Sequence, residues 1–169
     1  ETDPVAPLSV YGASKLAGEQ AIAASGCAHL ILRTNWVYSA RGNNFATTML
    51  RLARERESLA VIDDQFGAPT GAELLADVTA HVIRSVLADP QLGGIYHLAA
   101  TGETTWCRYA RFVLEQAERA GMNLKVTPAM VEAIGTEAYP TPARRPGNSR
   151  LDTRKLQKAF ALSLPDWKV

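Results

Sequence analysis

The sequence has 169 residues, of which 47% are hydrophobic and 21% charged, and its net charge is +1. This length fits one domain, and the balance is typical of a globular protein with a real core. A net charge so close to zero gives no reason to expect a nucleic-acid partner or an acidic membrane surface. No apolar run approaches the ~20 residues of a membrane span, and no signal-peptide pattern is visible, so we expect a cytoplasmic protein.

Cys27 and Cys107 are the two cysteines of the chain. They form no CxxC pair and have no histidine cluster beside them, so we expect neither a disulfide framework nor a zinc site, and nothing in the sequence demands a metal. Free cysteines are among the most buried residue types. We therefore expect two buried thiols in a reducing cytosol.

The chain alternates helix and strand patterns. Apolar residues at helical spacing predict five helices, over about 9–25, 45–57, 71–87, 105–120 and 151–160. Short apolar runs predict three strands, 29–37, 59–62 and 95–99. Residues 136–148 are rich in Pro, Thr and Arg and predict an ordered loop.

Several of these helices have recognisable end signals. Asn43 or Asn44 can cap the second helix, because an asparagine side chain accepts a hydrogen bond from a free backbone N–H. Residues 70–73 (TGAE) have the spacing of a capping box before the third helix. Gly26 and Gly121 can end the first and fourth helices.

Strands that alternate with helices predict an α/β fold with a mostly parallel sheet. The sequence contains only two or three strong strands, fewer than a doubly wound sheet usually has. We therefore expect part of the sheet to lie outside this chain.

Tyr11 and Lys15 are four residues apart in the first predicted helix and so lie on one face. An ammonium group beside a phenol stabilises the phenolate, which lets the tyrosine exchange a proton with a carbonyl or an alcohol near neutral pH. The spacing alone is weak evidence, since two surface residues of an ordinary helix have it too.

The surroundings of this pair resemble a known family. Residues 7–19 (PLSVYGASKLAGE) resemble the catalytic helix of the extended short-chain dehydrogenase/reductases. Further blocks resemble the dTDP-4-dehydrorhamnose reductases within that family, and they follow in the same order. They are residues 32–38 (LRTNWVY), 42–45 (GNNF), 64–70 (DQFGAPT), 144–152 (RRPGNSRLD) and 164–167 (LPDW). Each block is short, but together they make the resemblance specific.

The resemblance implies reduction of the 4-keto group of dTDP-4-dehydro-L-rhamnose to dTDP-L-rhamnose, with NADPH, or NADH in some members, as the hydride donor. Tyr11 matches the proton donor. Lys15 matches the lysine that stabilises the phenolate and holds the nicotinamide ribose, so both residues also belong to the cofactor site. Trp36 matches the position whose indole lies beside the sugar, where an aromatic face suits the apolar side of a deoxysugar. Plain core packing is the alternative for Trp36.

Other polar residues in these blocks have two interpretations each. Arg144 and Arg145 suit a diphosphate, because guanidinium groups match phosphate geometry, but a structural ion pair or a solvated loop fits them equally. Asn44 either faces the substrate or caps a helix, and we favour the cap. The polar residues of 64–70 fit structural roles better than substrate contacts.

The sequence departs from the family in one respect, since no G-x-G-x-x-G loop for a dinucleotide is present. The upstream Thr or Ser that serves as the third catalytic partner has no candidate either, because only ten residues precede Tyr11. We therefore expect the C-terminal half of such an enzyme, inactive and with little NADPH affinity by itself. The resemblance implies a partial Rossmann-like parallel sheet, about 1–40 and 72–100, combined with a small α/β sugar-nucleotide-binding domain, the substrate-binding part, about 41–71 and 101–169.

Two other functions stay open: a non-catalytic binding or regulatory subunit, and a reductase or epimerase of another nucleotide sugar. The intact Tyr11–Lys15 pair argues weakly against the first. Trp36 and the Arg145–Ser149 block argue against the second. The sequence leaves the cofactor preference and the oligomeric state open, although an uncovered sheet edge invites self-association, for example as a homodimer.

Overall fold

The computed structural model describes residues 1–141 and 145–169. In these ranges the helices are α1 (Val10–Ala24), α2 (Phe45–Glu55), α3 (Ala72–Ala88), α4 (Trp106–Arg119) and α5 (Arg154–Phe160). The strands are β1 (Leu30–Arg33), β2 (Val37–Tyr38), β3 (Leu59–Ile62), β4 (Phe66–Gly67), β5 (Thr70–Gly71), β6 (Gly94–His97), β7 (Thr104–Thr105) and β8 (Val131–Ile134).

Parallel pairing dominates these strands. β1 pairs with β6, β2 with β5 and β3 with β8, all in parallel, whereas β4 and β7 pair in antiparallel fashion. Parallel strands need long crossover connections, and helices lie in the segments between the partners here. The predicted α/β class with mostly parallel strands is confirmed.

Side-chain caps fix where three helices begin. Ser9 precedes α1, and its Oγ accepts a hydrogen bond from the Gly12 backbone N–H at 3.1 Å. Asn44 precedes α2 and forms a reciprocal capping box with Thr47, which confirms the predicted asparagine cap. Thr105 caps α4. Each cap satisfies a backbone N–H that has no partner within its helix.

The predicted strand over 29–37 is wrong in its second half. β1 ends at Arg33, and β2 begins at Val37 and pairs with β5 instead of continuing along β6. Between them Trp36 has a φ of 43°, in the left-handed region that bulky residues rarely adopt. This conformation breaks the strand, and the apolar character of the run gave no sign of it.

The predicted capping box at residues 70–73 is also wrong. Thr70 lies in β5, and α3 begins at Ala72 after Gly71, which has no side chain to offer. The Thr70 hydroxyl instead donates to the Ala68 carbonyl at 3.1 Å and accepts from the Ala100 backbone N–H at 3.2 Å. The threonine therefore joins two loops.

The predicted last helix starts too early, and the four-residue strand β8 was not predicted, nor were the two-residue strands β4, β5 and β7. α5 begins at Arg154, three residues after the predicted start. β8 pairs with β3 over its whole length although its sequence, VEAI, contains a charged residue. Long-range pairing with β3 stabilises this strand, and a short sequence window does not contain that information.

Two main clusters form the core. The first joins α2, α4, β3 and β8 and contains Met49, Ala53, Leu59, Val61, Cys107, Ala110, Leu114, Val126 and Val131. The second joins α3, β6, α5 and the chain end and contains Val78, Val82, Tyr96, Leu98, Leu156, Phe160 and Leu164. α5 thus packs on the part of the chain that carries β6.

α1 stands apart from both clusters, because none of its residues is buried. Cys27, just after this helix, is exposed, so the expectation of two buried thiols is wrong for this cysteine. It lies in the turn that follows α1, where the Ser25 hydroxyl donates to its Sγ at 2.9 Å. Cys107 is fully buried in the first cluster, and burial raises the pKa of its thiol.

In the two described ranges, no helix combines the length and the apolar composition that crossing a membrane requires.

Core packing of α4 gives a prediction on stability. Leu114 is fully buried, so Leu114→Ala removes apolar contacts and leaves a cavity, and we expect the free energy of unfolding to fall by about 2–5 kcal/mol. Leu87 of α3 is 79% exposed, and Leu87→Ala should change it by less than about 0.5 kcal/mol. Urea unfolding followed by circular dichroism measures the free energy of unfolding of both variants. Equal losses in Leu114→Ala and Leu87→Ala would contradict the described core.

Candidate functional site

Tyr11 and Lys15 lie together on the exposed first turns of α1. Tyr11 is 72% exposed, and the Lys15 Nζ lies 5.3 Å from the centroid of its ring. The Ser9 cap fixes the start of the helix and so places the phenol in the first turn.

A paired charge ties α1 to the end of β1. Arg33 donates to both carboxylate oxygens of Glu19, with its Nε 3.0 Å from Oε1 and a terminal nitrogen 2.6 Å from Oε2. This carboxylate raises the pKa of the Arg33 guanidinium. Glu19 follows Lys15 by one helical turn, so the ion pair constrains how the Tyr11–Lys15 face is turned relative to β1.

Three of the segments that resemble the family, residues 32–38, 64–70 and 144–152, are joined by hydrogen bonds near Trp36. The side-chain amide of Asn35 donates to the Ser149 carbonyl. The Ser149 backbone N–H donates to the Phe66 carbonyl at 2.8 Å, and the Phe66 N–H donates to the Gly147 carbonyl at 2.9 Å. The block that contains Arg145 is thereby fastened beside Trp36 and the 64–70 block.

The Trp36 indole packs against Trp106, at the start of α4. Their ring centroids are 3.6 Å apart and the planes differ by 14°. The backbone of Gly67 approaches the same indole so closely that a Cβ there would lie 2.6 Å from its Cε2. Only glycine tolerates this approach.

Asn44 uses both polar atoms of its side chain within the protein. Its Oδ1 accepts from the Thr47 N–H at 3.1 Å, and its Nδ2 donates to the Ser39 carbonyl at 2.7 Å. Arg145 is exposed and forms no ion pair with the described residues. Arg144 lies outside the described residues.

The polar residues of 64–70 form structural links. The Asp64 carboxylate accepts from the Thr136 N–H at 2.9 Å and from its hydroxyl at 2.6 Å, and the Gln65 amide donates to the same hydroxyl at 3.1 Å. The Thr136 hydroxyl and N–H lower the pKa of Asp64. Asp63 accepts from the Thr105 hydroxyl. These bonds attach the segment to the end of β8 and to α4.

The predicted site residues thus form two groups. No hydrogen bond, ion pair or ring contact within the described ranges joins Tyr11 or Lys15 to Trp36, Asn44 or Arg145. Sequence reasoning missed three neighbours of Trp36, namely Asn35, Gly67 and Trp106. Gly67, between Phe66 and Ala68, was the available signal, because glycine in a strand often marks a close approach of another group.

Comparisons with known proteins identify the family. The whole chain, residues 1–169, matches the RmlD substrate binding domain. The chain belongs to this family. It is 63% identical, over all of its length, to the dTDP-4-dehydrorhamnose reductase of Shigella flexneri and 62% identical to that of Escherichia coli K12, and it covers 56% of each.

Solved structures agree with the assignment to the RmlD substrate binding domain family. A crystal structure of dTDP-4-dehydrorhamnose reductase from Bacillus anthracis in complex with NADP superposes with a TM-score of 0.82 at 34% identity. The alignment covers 99% of this chain and 55% of that one. The resemblance inferred from the sequence is confirmed, and the chain spans about half the length of the curated relatives it matches.

Asp64 gives a prediction on pH. Its lowered pKa means that the link to Thr136 stabilises the fold above the ordinary aspartate range, near pH 4, and is lost as the pH falls through the lowered value. Thr136→Val removes the hydroxyl, so the pKa of Asp64 should rise toward its ordinary value. Carboxyl-detected NMR titration measures this shift. An unchanged pKa of Asp64 would show that the Thr136 hydroxyl is not its hydrogen-bond partner.

Proposed function

We propose that the protein containing this chain reduces the 4-keto group of dTDP-4-dehydro-L-rhamnose, with NADPH or NADH, to give dTDP-L-rhamnose in the cytoplasm. The observation that carries the proposal is the Tyr11–Lys15 pair, which is exposed on one face of α1. The chain that carries this pair is 63% identical to the dTDP-4-dehydrorhamnose reductase of Shigella flexneri. A homodimer is compatible with it.

The residues present fit the part of a nicotinamide site that the proposal assigns to them. Tyr11 and Lys15 are both exposed, and neither forms an ion pair within the described ranges. A free ammonium group can donate hydrogen bonds to ribose hydroxyls, and a free phenol can reach a carbonyl oxygen. The bound cofactor supplies the hydride that reduces the carbon.

Tyr11 acts as the proton donor in this proposal. Its O–H donates to the carbonyl oxygen of the sugar as the carbon becomes tetrahedral, so that the C=O group becomes CH–OH and the phenol becomes a phenolate. Lys15, with its Nζ 5.3 Å from the ring centroid, stabilises that phenolate. Ser9 and the Glu19–Arg33 pair hold the helix that carries both groups.

The substrate side of the proposal rests on the segments around Trp36. Trp36 contacts the sugar, and Arg145 binds the diphosphate with its exposed guanidinium group. Asn44 remains the weakest candidate for a substrate contact, because its side chain is engaged in capping α2.

The proposed division into a Rossmann part (about 1–40 and 72–100) and a substrate-binding part (about 41–71 and 101–169) gains support from the two core clusters, although α5 packs with the first part.

Tyr11→Phe in the full-length protein tests the proton-donor role. We expect kcat to fall by about 10²–10⁴-fold with little change in KM for the sugar nucleotide, because proton donation acts in the transition state. NADPH oxidation followed by absorbance measures both constants.

Tyr139→Phe serves as the matched control, since Tyr139 is an exposed tyrosine that the proposal gives no role. It should leave both constants unchanged. A loss confined to KM in Tyr11→Phe would remove Tyr11 from the donor role.

A further inference from the structure

Polar links, and not buried side chains, attach the segment that carries Tyr11 and Lys15 to the strands. α1 buries none of its residues. Within the described part of the chain, the hydrogen bonds that join residues 1–24 to β1 and β6 are made by two acidic side chains, Glu1 and Glu19. The two acids flank the Tyr11–Lys15 pair in the sequence, one on each side. The orientation of the pair therefore depends on two points of attachment.

The two residues that receive these acids lie side by side. Arg33 is the last residue of β1 and His97 the last residue of β6, and they are partners in the register of this parallel pair. Ligands of open parallel sheets bind beyond the carboxyl ends of the strands. The attachments thus lie at the end of the β1–β6 pair where such ligands bind.

The first attachment is a hydrogen bond to the backbone of β6. The Glu1 carboxylate accepts from the His97 backbone N–H at 2.9 Å, and the two side chains are only 14% and 13% exposed. The imidazole Nδ1 lies 3.2 Å from the Asp152 carbonyl, which can only accept, so this nitrogen carries the proton. Burial lowers the pKa of His97, which favours a neutral ring near pH 7. Glu1 therefore needs an acceptor oxygen at this place more than it needs a charge.

The second attachment is an ion pair made through two nitrogens. Arg33 donates to Oε1 of Glu19 at 3.0 Å and to Oε2 at 2.6 Å. Such a bidentate pair fixes an orientation as well as a distance. The Glu19 carboxylate raises the pKa of Arg33, and the Glu1 carboxylate contributes to the same shift. Both acids thus act on the one guanidinium group, from opposite ends of the segment.

We infer that the Glu1–His97 and Glu19–Arg33 links are positioning pairs, which hold the proton donor of α1 in the geometry that the reaction needs. The inference rests on the proposed function. A misplacement of about 1 Å, caused by a change far from the reacting atoms, can lower a rate by about 10²-fold. Because α1 has no buried residue to oppose a rotation, loss of either link lets the face that carries Tyr11 turn.

Arg33→Met in the full-length protein removes the second attachment. We expect kcat to fall by about 10- to 100-fold with little change in KM for the sugar nucleotide, because the pair orients the donor and does not bind the substrate. Glu19→Gln should have a similar effect. Arg33→Lys should recover only part of the loss, because an ammonium group keeps the charge but not the planar geometry. A change confined to KM would contradict the positioning role.

The decisive comparison combines Arg33→Met with Tyr11→Phe. If Arg33 acts through the phenol, removal of the hydroxyl leaves little to position, and Arg33→Met should then lower kcat by less than about threefold. A residue that only stabilises the fold acts whether or not the hydroxyl is present. An equal loss from Arg33→Met in the wild-type and Tyr11→Phe backgrounds would therefore overturn the inference.

Two substitutions of Glu1 test the first attachment. Glu1→Gln keeps an acceptor oxygen for the His97 N–H, whereas Glu1→Ala does not. We expect kcat to fall about tenfold in Glu1→Ala and less than about threefold in Glu1→Gln. An unchanged kcat in Glu1→Ala would remove Glu1 from the positioning role. Arg119→Met is the control for all variants, because Arg119 is exposed and paired with Glu115 within α4, and it should leave kcat and KM unchanged.

Hydrogen exchange measures the attachments without any activity. Mass spectrometry of peptides from residues 10–24 should show faster amide exchange in Arg33→Met than in the wild type or in Arg119→Met, because a released helix opens more often. Unchanged exchange in Arg33→Met would overturn the inference. Faster exchange in a protein whose wild type reduces no 4-keto sugar would instead overturn the proposed function and leave the attachments standing, so the two failures are distinguishable.

Discussion

The turn at Asn35 and Trp36 is the constraint on which the proposed substrate-binding part of this chain depends. Here the chain leaves the β1–β6 pair and enters the β2–β5 pair, and the left-handed conformation of Trp36 makes that change of direction. The same turn places the indole against Trp106 and Gly67 and brings the Asn35 amide to the Ser149 carbonyl. One strained residue thus joins segments that are far apart in sequence.

The proposed catalytic helix is held in a different way. α1 buries none of its residues, and the bidentate pair between Glu19 and Arg33 is its ion-pair link to β1 in the described residues. Each partner retains about a fifth of its side-chain exposure, so the pair is partly shielded from solvent and its geometry supplies orientation as well as attraction. Tyr11 and Lys15 thereby project from an exposed face, where the proposed cofactor and sugar can reach them.

Local patterns predicted the local features of this fold. The spacing of apolar residues located all five helices, and the Asn44 cap was recognised because capping needs only neighbours in sequence. The break at Trp36, the strand β8 and the true role of Thr70 depend on contacts with distant residues, which no short window contains. The resemblance pointed to Trp36. Its contacts with Trp106 and Gly67 join residues that are distant in sequence, so they became visible only in the three-dimensional structure.

The most direct test of the proposed reaction is to follow the hydride. The full-length protein would be incubated with dTDP-4-dehydro-L-rhamnose and NADPH carrying deuterium at the transferable position, and the product would be analysed by NMR and mass spectrometry. The account predicts dTDP-L-rhamnose with one deuterium on C4 of the sugar. Unchanged substrate, or deuterium at another carbon, would contradict it.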